Sequence, residues 1–144
     1  MLFALFGLHQ MAVILINTAE DYPEDEADGL RTLPLARGIP TTMAFAWYTV
    51  LLAGLGMQVL MVLLFFNLNI ALWMALPTLI FTAGWLVILK ELKGVWKQTR
   101  GLSPKDAADK VLKKNGMKVP RWLNIGAYTT LAVVAIWSVL ELLP

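Results

Sequence analysis

TTMAFAWYTVLLAGLGMQVLMVLLFF, residues 41–66, runs for 26 positions without an Asp, Glu, Lys, Arg or His. A membrane-spanning helix needs roughly 20 consecutive apolar residues, so this stretch is long enough to cross a bilayer with some tilt. Working outward, residues 68–89 and 122–140 are equally free of those five residue types, and spans are drawn at 68–90 and 122–141. Before the quoted stretch lies MLFALFGLHQMAVILI, residues 1–16, which is shorter. At roughly 1.5 Å per residue a helix of that length falls a little under the ~30 Å hydrocarbon core, and a span at 1–17 is the least secure of the four. The expected fold class is therefore all-α, a multi-span helical membrane protein of about four transmembrane helices within a single domain, 1–144.

Composition agrees with that class. The chain is 58% hydrophobic and only 15% charged, with a mean hydropathy of +0.66. No cysteine is present, which excludes disulfides, thiolate metal sites and cysteine nucleophiles. The apolar start has no basic residue before it and no small-x-small pattern after it, so it is expected to persist as mature structure rather than as a signal peptide.

Charge placement sets the expected topology. Every Lys and Arg falls in one of two segments, 18–40 (Arg31 and Arg37) and 91–121 with Lys90 at its edge. Two spans separate these segments, which places them on the same side, and the bias of basic residues towards the cytoplasm makes that side cytoplasmic. Both termini then lie outside, and the expected location is the cell (inner) membrane, multi-pass.

Between the first two spans stands EDYPEDEAD, residues 20–28, with six acids in nine positions. Lipid-exposed carboxylates are costly, so they must face water, a cavity or a cation. Asn17, Asp21, Asp25 and Gly29 recur every four residues, and side chains four apart share one helical face. Pro23 interrupts the ladder and predicts a kinked or frayed helix end there. Gly29, Pro34, Gly38 and Pro40 predict an irregular connection beyond it. The alternative reading of the cluster is a solvated, charged link. Arg31 and Arg37 close behind favour a magnesium diphosphate, because Mg²⁺ takes one or two carboxylates plus phosphate oxygens while arginine binds phosphate directly.

The larger basic segment carries a helix signal: Ser103 as cap, Pro104 in the first turn, Asp106 completing an S-x-x-D box, and a stop at Asn115-Gly116. Its apolar side is Ala107, Ala108, Val111 and Leu112. Such a helix lies on the headgroups or folds over the acidic mouth, and the surface role is the expectation here. Asp106 and Asp109 each precede a lysine by four residues, Lys110 and Lys113, which reads as helix-surface pairing rather than a metal site. His9, Gln10 and Gln58 are expected to pack inwards against neighbouring helices. Trp47, Tyr48, Trp96 and Trp122 read as interface anchors.

The stretch NTAEDYPEDEADGLRTLPLARG, residues 17–38, resembles the second aspartate-rich motif of the UbiA superfamily of intramembrane prenyltransferases. That motif reads roughly N-D-x-x-D-x-x-x-D-x-x-x-G followed by a basic residue, T-L and a glycine; Asn17, Asp21, Asp25, Gly29, Arg31, Thr32, Leu33 and Gly38 match it. Thr18 departs, standing where many members carry aspartate. Members usually have nine spans and an earlier N-x-x-x-D motif, so the resemblance covers only the C-terminal third to half of a family enzyme. What it implies is a helical membrane enzyme that holds an isoprenyl diphosphate through Mg²⁺ and transfers the prenyl group to an aromatic or lipid acceptor. On this resemblance Asp21 and Asp25 are the catalytic carboxylates and, with Asp28, the Mg²⁺ ligands, while Asn17 and Arg31 bind substrate. The implied partners are an isoprenyl diphosphate, a hydrophobic acceptor, membrane lipid, and other membrane subunits or a second half-enzyme; no nucleic acid is expected. Two alternatives stay open: a non-catalytic UbiA-like subunit binding lipid, quinone or pigment in a larger membrane complex, and a cation-transport component.

Overall fold

The computed structural model describes residues 2–67 and 75–115, together with Ala135. The first three helices are α1 (Leu2–Glu20), α2 (Tyr22–Ala27) and α3 (Leu33–Arg37). The two long ones that follow are α4 (Ile39–Asn67) and α5 (Ala75–Thr99). A last helical stretch, α6, passes through Pro104–Asp106, a π-helical turn Ala107–Leu112 and Lys113–Asn115. No strand occurs among the described residues, so the all-α expectation holds for them. The fourth expected span, 122–141, and the start of the third, 68–74, lie outside the described residues. Among the described residues one helix, Ile39–Leu63, is long and apolar enough to cross a membrane.

α4 is the central element, packing against α1 and α5. Its buried positions are Ile39, Met43, Ala46, Val50, Ala53, Met57 and Met61, a spacing of three and four that keeps one stripe turned inwards along its whole length. In α1 the same alternation selects Leu5, His9, Ala12, Ile16 and Ala19. Small residues in both stripes let the backbones approach closely. Gly56 marks one such approach, because a methyl group added there would fall onto Leu5 of α1. On its other side α4 presents Gly54, where an added methyl would fall onto the indole of Trp85 in α5.

Polar bonds link α4 to α5 at three levels. Trp47 Nε1 donates to the Leu89 carbonyl at 3.1 Å, Trp85 Nε1 to the Val50 carbonyl at 3.1 Å, and Gln58 Nε2 to Thr82 Oγ1 at 2.8 Å. The residue numbers rise on one helix as they fall on the other, so the pair is antiparallel. Trp47 thus ties two helices together in addition to any anchoring role. Gln58 packs inwards as its polarity predicts.

α5 continues past Lys90, where the apolar run ends, as far as Thr99. Its inner stripe explains the persistence: Trp85, Ile88, Leu89, Leu92, Val95 and Thr99 are all buried. The helix therefore stands beyond the apolar zone and offers a surface on which α6 docks.

Candidate functional site

The acidic segment continues α1 with one break. Asp21 N–H reaches the Asn17 carbonyl at 2.9 Å and Asp25 N–H the Asp21 carbonyl at 2.9 Å, so the column Asn17, Asp21, Asp25 keeps helical register. Helix assignment lapses at Asp21 and resumes at Tyr22, with Pro23 in the first turn. Pro23 has no N–H to give to the preceding turn, and this is the interruption its position predicts. Leu30 N–H then bonds back to the Asp25 carbonyl at 3.0 Å, and Gly29 takes a φ of 67°, a left-handed turn that glycine adopts without a Cβ penalty. The chain is thereby folded back beside Asp25 before α3 begins. Gly38, at φ 82°, reverses it again into α4.

α6 folds against this segment. Ser103 Oγ accepts from Asp106 N–H at 3.2 Å and donates to Asp106 Oδ2 at 2.9 Å, so the S-x-x-D box starts the helix as its sequence predicts. Asp106 pairs with Lys110 at 2.8 Å and Asp109 with Lys113 at 3.2 Å, the local pairing expected of them. The expectation of a surface-lying helix is corrected, however. Ala107, Ala108, Val111 and Leu112 are buried in one cluster with Ile16, Ala19 and Tyr22 from the acidic end, and with Leu92 and Val95 of α5. An apolar patch of that width is covered more favourably by packing than by leaving it at the surface.

Two lysines of α6 reach across to the acidic cluster. Lys113 Nζ lies 2.9 Å from Glu24 Oε1, and Lys105 Nζ 3.3 Å from Glu26 Oε2. Lys113 donation holds the Glu24 carboxyl below its ordinary range, and Glu24 with Asp109 raises the Lys113 ammonium. Glu20 moves the other way, pushed up by partial burial and by Asp21. Tyr22, buried where the α1 stripe continues by one more step of three, donates its hydroxyl to Glu26 at 3.3 Å.

The aspartates are treated differently. Asp21, Asp25 and Asp28 follow an i, i+4, i+7 spacing that places them on one side of the helix, a side that Glu24, three residues after Asp21 and four before Asp28, shares. Among the described residues none of the three makes a salt bridge. Asp21 and Asp28 are exposed and Asp25 is half-buried, and the Oδ2 of Asp25 is shut away from solvent with no hydrogen-bond donor among the described residues. The Oγ1 of Thr32 is likewise buried and without a partner among the described residues. Arg31 and Thr32, with Leu30, Leu33, Leu35 and Ala36, line an open hollow of about 470 Å³. The structure therefore gathers Arg31 and Thr32 at one hollow and Asp21, Asp25 and Asp28 on one neighbouring helical face, with Asn17 exposed one turn before them. None of the aspartates is in the wall of the hollow.

Among the described residues no three His, Cys, Asp or Glu side chains form a cage for a metal ion. Mg²⁺ does not require one, since it commonly takes one or two carboxylates and completes its shell with water and substrate phosphate. An orphaned carboxylate oxygen on Asp25, beside an Asp21 that makes no salt bridge among the described residues, fits that demand. Tyr22 is the residue that motif reading passes over, and Thr32, which matches the motif, is given no role by it. For Tyr22 the three-four spacing of the α1 stripe is a usable signal, whereas nothing local marks the burial of the Thr32 hydroxyl.

His9 sits in the α1 stripe, 7% exposed, and its Nδ1 finds no partner among the described residues. Trp122 lies outside the described residues. No family model, curated protein or solved structure matches the chain.

Proposed function

We propose that the chain is a multi-span membrane component of the UbiA prenyltransferase type, with spans at 1–17, 41–66, 68–90 and 122–141 and its acidic segment on the cytoplasmic side of the cell membrane. In this reading it binds a Mg²⁺-isoprenyl diphosphate for transfer of the prenyl group to an aromatic or lipid acceptor, and needs an N-terminal half from another chain or a second copy. The observation that carries the reading is the division of the acids: α6 lysines pair with Glu24 and Glu26, while among the described residues Asp21 and Asp25 of the motif, and Asp28 beside them, have no cationic partner.

Each residue then has a distinct task. Asp21 and Asp25 direct anionic oxygens towards the cation, Asn17 supports them from the preceding turn, and Asp28 extends the same face. Arg31 offers a charge-assisted donor to the diphosphate, and the Thr32 hydroxyl is a second donor at the same hollow. When bound, Mg²⁺ supplies positive charge against which the diphosphate departs. The apolar faces of α1 and α4 exclude water from the reacting chain.

Calorimetry with a non-hydrolysable isoprenyl thiolodiphosphate tests the proposal. Binding is expected only with Mg²⁺ and is lost in Asp21→Asn and Asp25→Asn, while Glu24→Gln retains it. Equal binding by native chain and both aspartate variants overturns the reading. A second reading, a non-catalytic subunit for lipid, quinone or pigment, is favoured by the exposed apolar residues Met11 and Ile14 on α1, which ask for a covering neighbour; it predicts stable co-purification with other membrane chains.

A further inference from the structure

Beyond Lys90 the outer side of α5 carries an unusual set of side chains. Lys90, Lys93, Lys97 and Arg100 recur at steps of three, four and three, which places them in one stripe. Among the described residues none of them has a carboxylate partner, whereas Lys105, Lys110 and Lys113 all do. Two of the four instead lie on rings: Lys93 Nζ is 5.5 Å from the centre of the Trp47 ring, and the Arg100 guanidinium carbon 4.5 Å from that of Trp96.

Those rings belong to a cluster. Trp47 and Tyr48 meet edge to face at 5.1 Å, and Trp96 lies 6.1 Å from Trp47 and 6.4 Å from Tyr48. Cations stacked on indole faces are held in place yet keep donors free for an anion. Below the rings on α4, Tyr48 is followed at steps of four, three, four and three by Leu52, Leu55, Val59 and Val62, all about half exposed. Below the cations on α5, the same side continues through Leu86 and Leu79, 54% and 65% exposed. The patch thus has an anion-seeking head, an aromatic collar and an apolar skirt.

We propose that this end of the α4–α5 pair is a binding site for an anionic phospholipid, with Lys93, Lys97 and Arg100 on the phosphate and headgroup, and with the acyl chains along Leu52, Leu55 and Leu86. The site rests on the membrane placement of the chain but not on prenyl transfer. A soluble anion would satisfy the cations and leave the apolar skirt uncovered; a zwitterionic lipid would cover the skirt and leave a net positive stripe. An anionic lipid matches both.

The full chain, reconstituted in phosphatidylcholine vesicles, tests this by quenching of its tryptophan fluorescence with equal fractions of acyl-brominated phosphatidylglycerol or brominated phosphatidylcholine. Phosphatidylglycerol is expected to associate several-fold more strongly. The double variant Lys93→Gln, Arg100→Gln removes most of that several-fold preference and brings it towards parity. Lys93→Arg keeps it, and Lys105→Gln, whose lysine serves α6, leaves it unchanged. Equal quenching by the two lipids in the native chain overturns the inference, as does an undiminished preference in a double variant of native helicity. Reversal of the preference by millimolar inorganic phosphate also overturns it, by making the site one for a soluble anion. Failure of the membrane placement itself reads differently: neither lipid quenches and the chain leaves the vesicles in a carbonate wash.

Discussion

The α4–α5 seam and the α6 cap over the acidic segment hold helices together by opposite means. In the seam, the buried indole of Trp85 and the partly buried donors of Trp47 and Gln58 reach carbonyl and hydroxyl acceptors on the facing helix, and Gly54 lets the Trp85 ring lie against the backbone. In the cap, apolar contacts among Ala107, Ala108, Val111, Leu112 and Tyr22 bring the helices together, and exposed ion pairs decide only how they are oriented. Away from water a directional hydrogen bond has few competitors, whereas an ion pair in water is screened and contributes little. The difference teaches that solution conditions can release the ion pairs that orient the cap while leaving the seam intact.

The sharpest way to break that contrast is Trp85→Ala. It removes a buried ring and a bond to Val50 together, and is expected to cost about 3–5 kcal/mol, read by denaturation of the detergent-solubilised chain followed by circular dichroism. Leu112→Ala is the matching change in the cap. It should cost about 2–5 kcal/mol if α6 unfolds with the rest, and a much smaller global loss with local proteolysis near 104–115 would show that the cap opens alone. Gln58→Leu removes one interhelical bond while keeping the contact apolar. A loss of about 0.6 kcal/mol is expected, and no loss would mean that the Trp bonds suffice for the seam.

The smallest effect is a pH dependence confined to the cap. Glu24 has its carboxyl lowered by Lys113, so its contribution is full above the ordinary value of 4.5 and disappears as the pH falls through the lower folded value. Lys113 is raised, so its contribution is full below the ordinary value of 10.5 and disappears as the pH climbs through the higher folded value. Glu20, raised by burial, opposes the first trend, because its stabilisation is present at low pH and lost as the pH rises through its folded value. The latch between α2 and α6 is therefore expected to hold between these limits and to slacken in acid. The chain has no cysteine, so spin labels on Ala27→Cys and Lys114→Cys report the separation directly. A distance that stays constant into strong acid, or that survives Lys113→Gln with molar salt, would show that apolar packing alone positions α6.

Local rules account for much of what is seen. Ser103-x-x-Asp106 caps its helix, Pro23 interrupts the ladder, Gly29 and Gly38 turn the chain, and Asp106 and Asp109 pair four residues on, each through contacts within one or two turns. The same rules place Asn17, Asp21 and Asp25 on one column. They fail for α6, whose apolar face is equally suited to headgroups or to a protein surface until the position of Ala19, Tyr22 and Leu92 is known.

By itself the sequence determined the helical class, the apolar length of α4 and the register of the acidic column, because these are properties of a continuous chain, whereas the inward stripes of α1 and α4, apolar on every side, appear only in the packed structure. Only the tertiary structure decided which acids are neutralised and which are left open. Glu24 and Lys113 are 89 residues apart, and their meeting depends on α1, α5 and α6 burying a common apolar cluster. The orphaned oxygen of Asp25, the hollow beside Arg31 and the rings beneath Lys93 and Arg100 arise in the same way, from where separate helices come to rest.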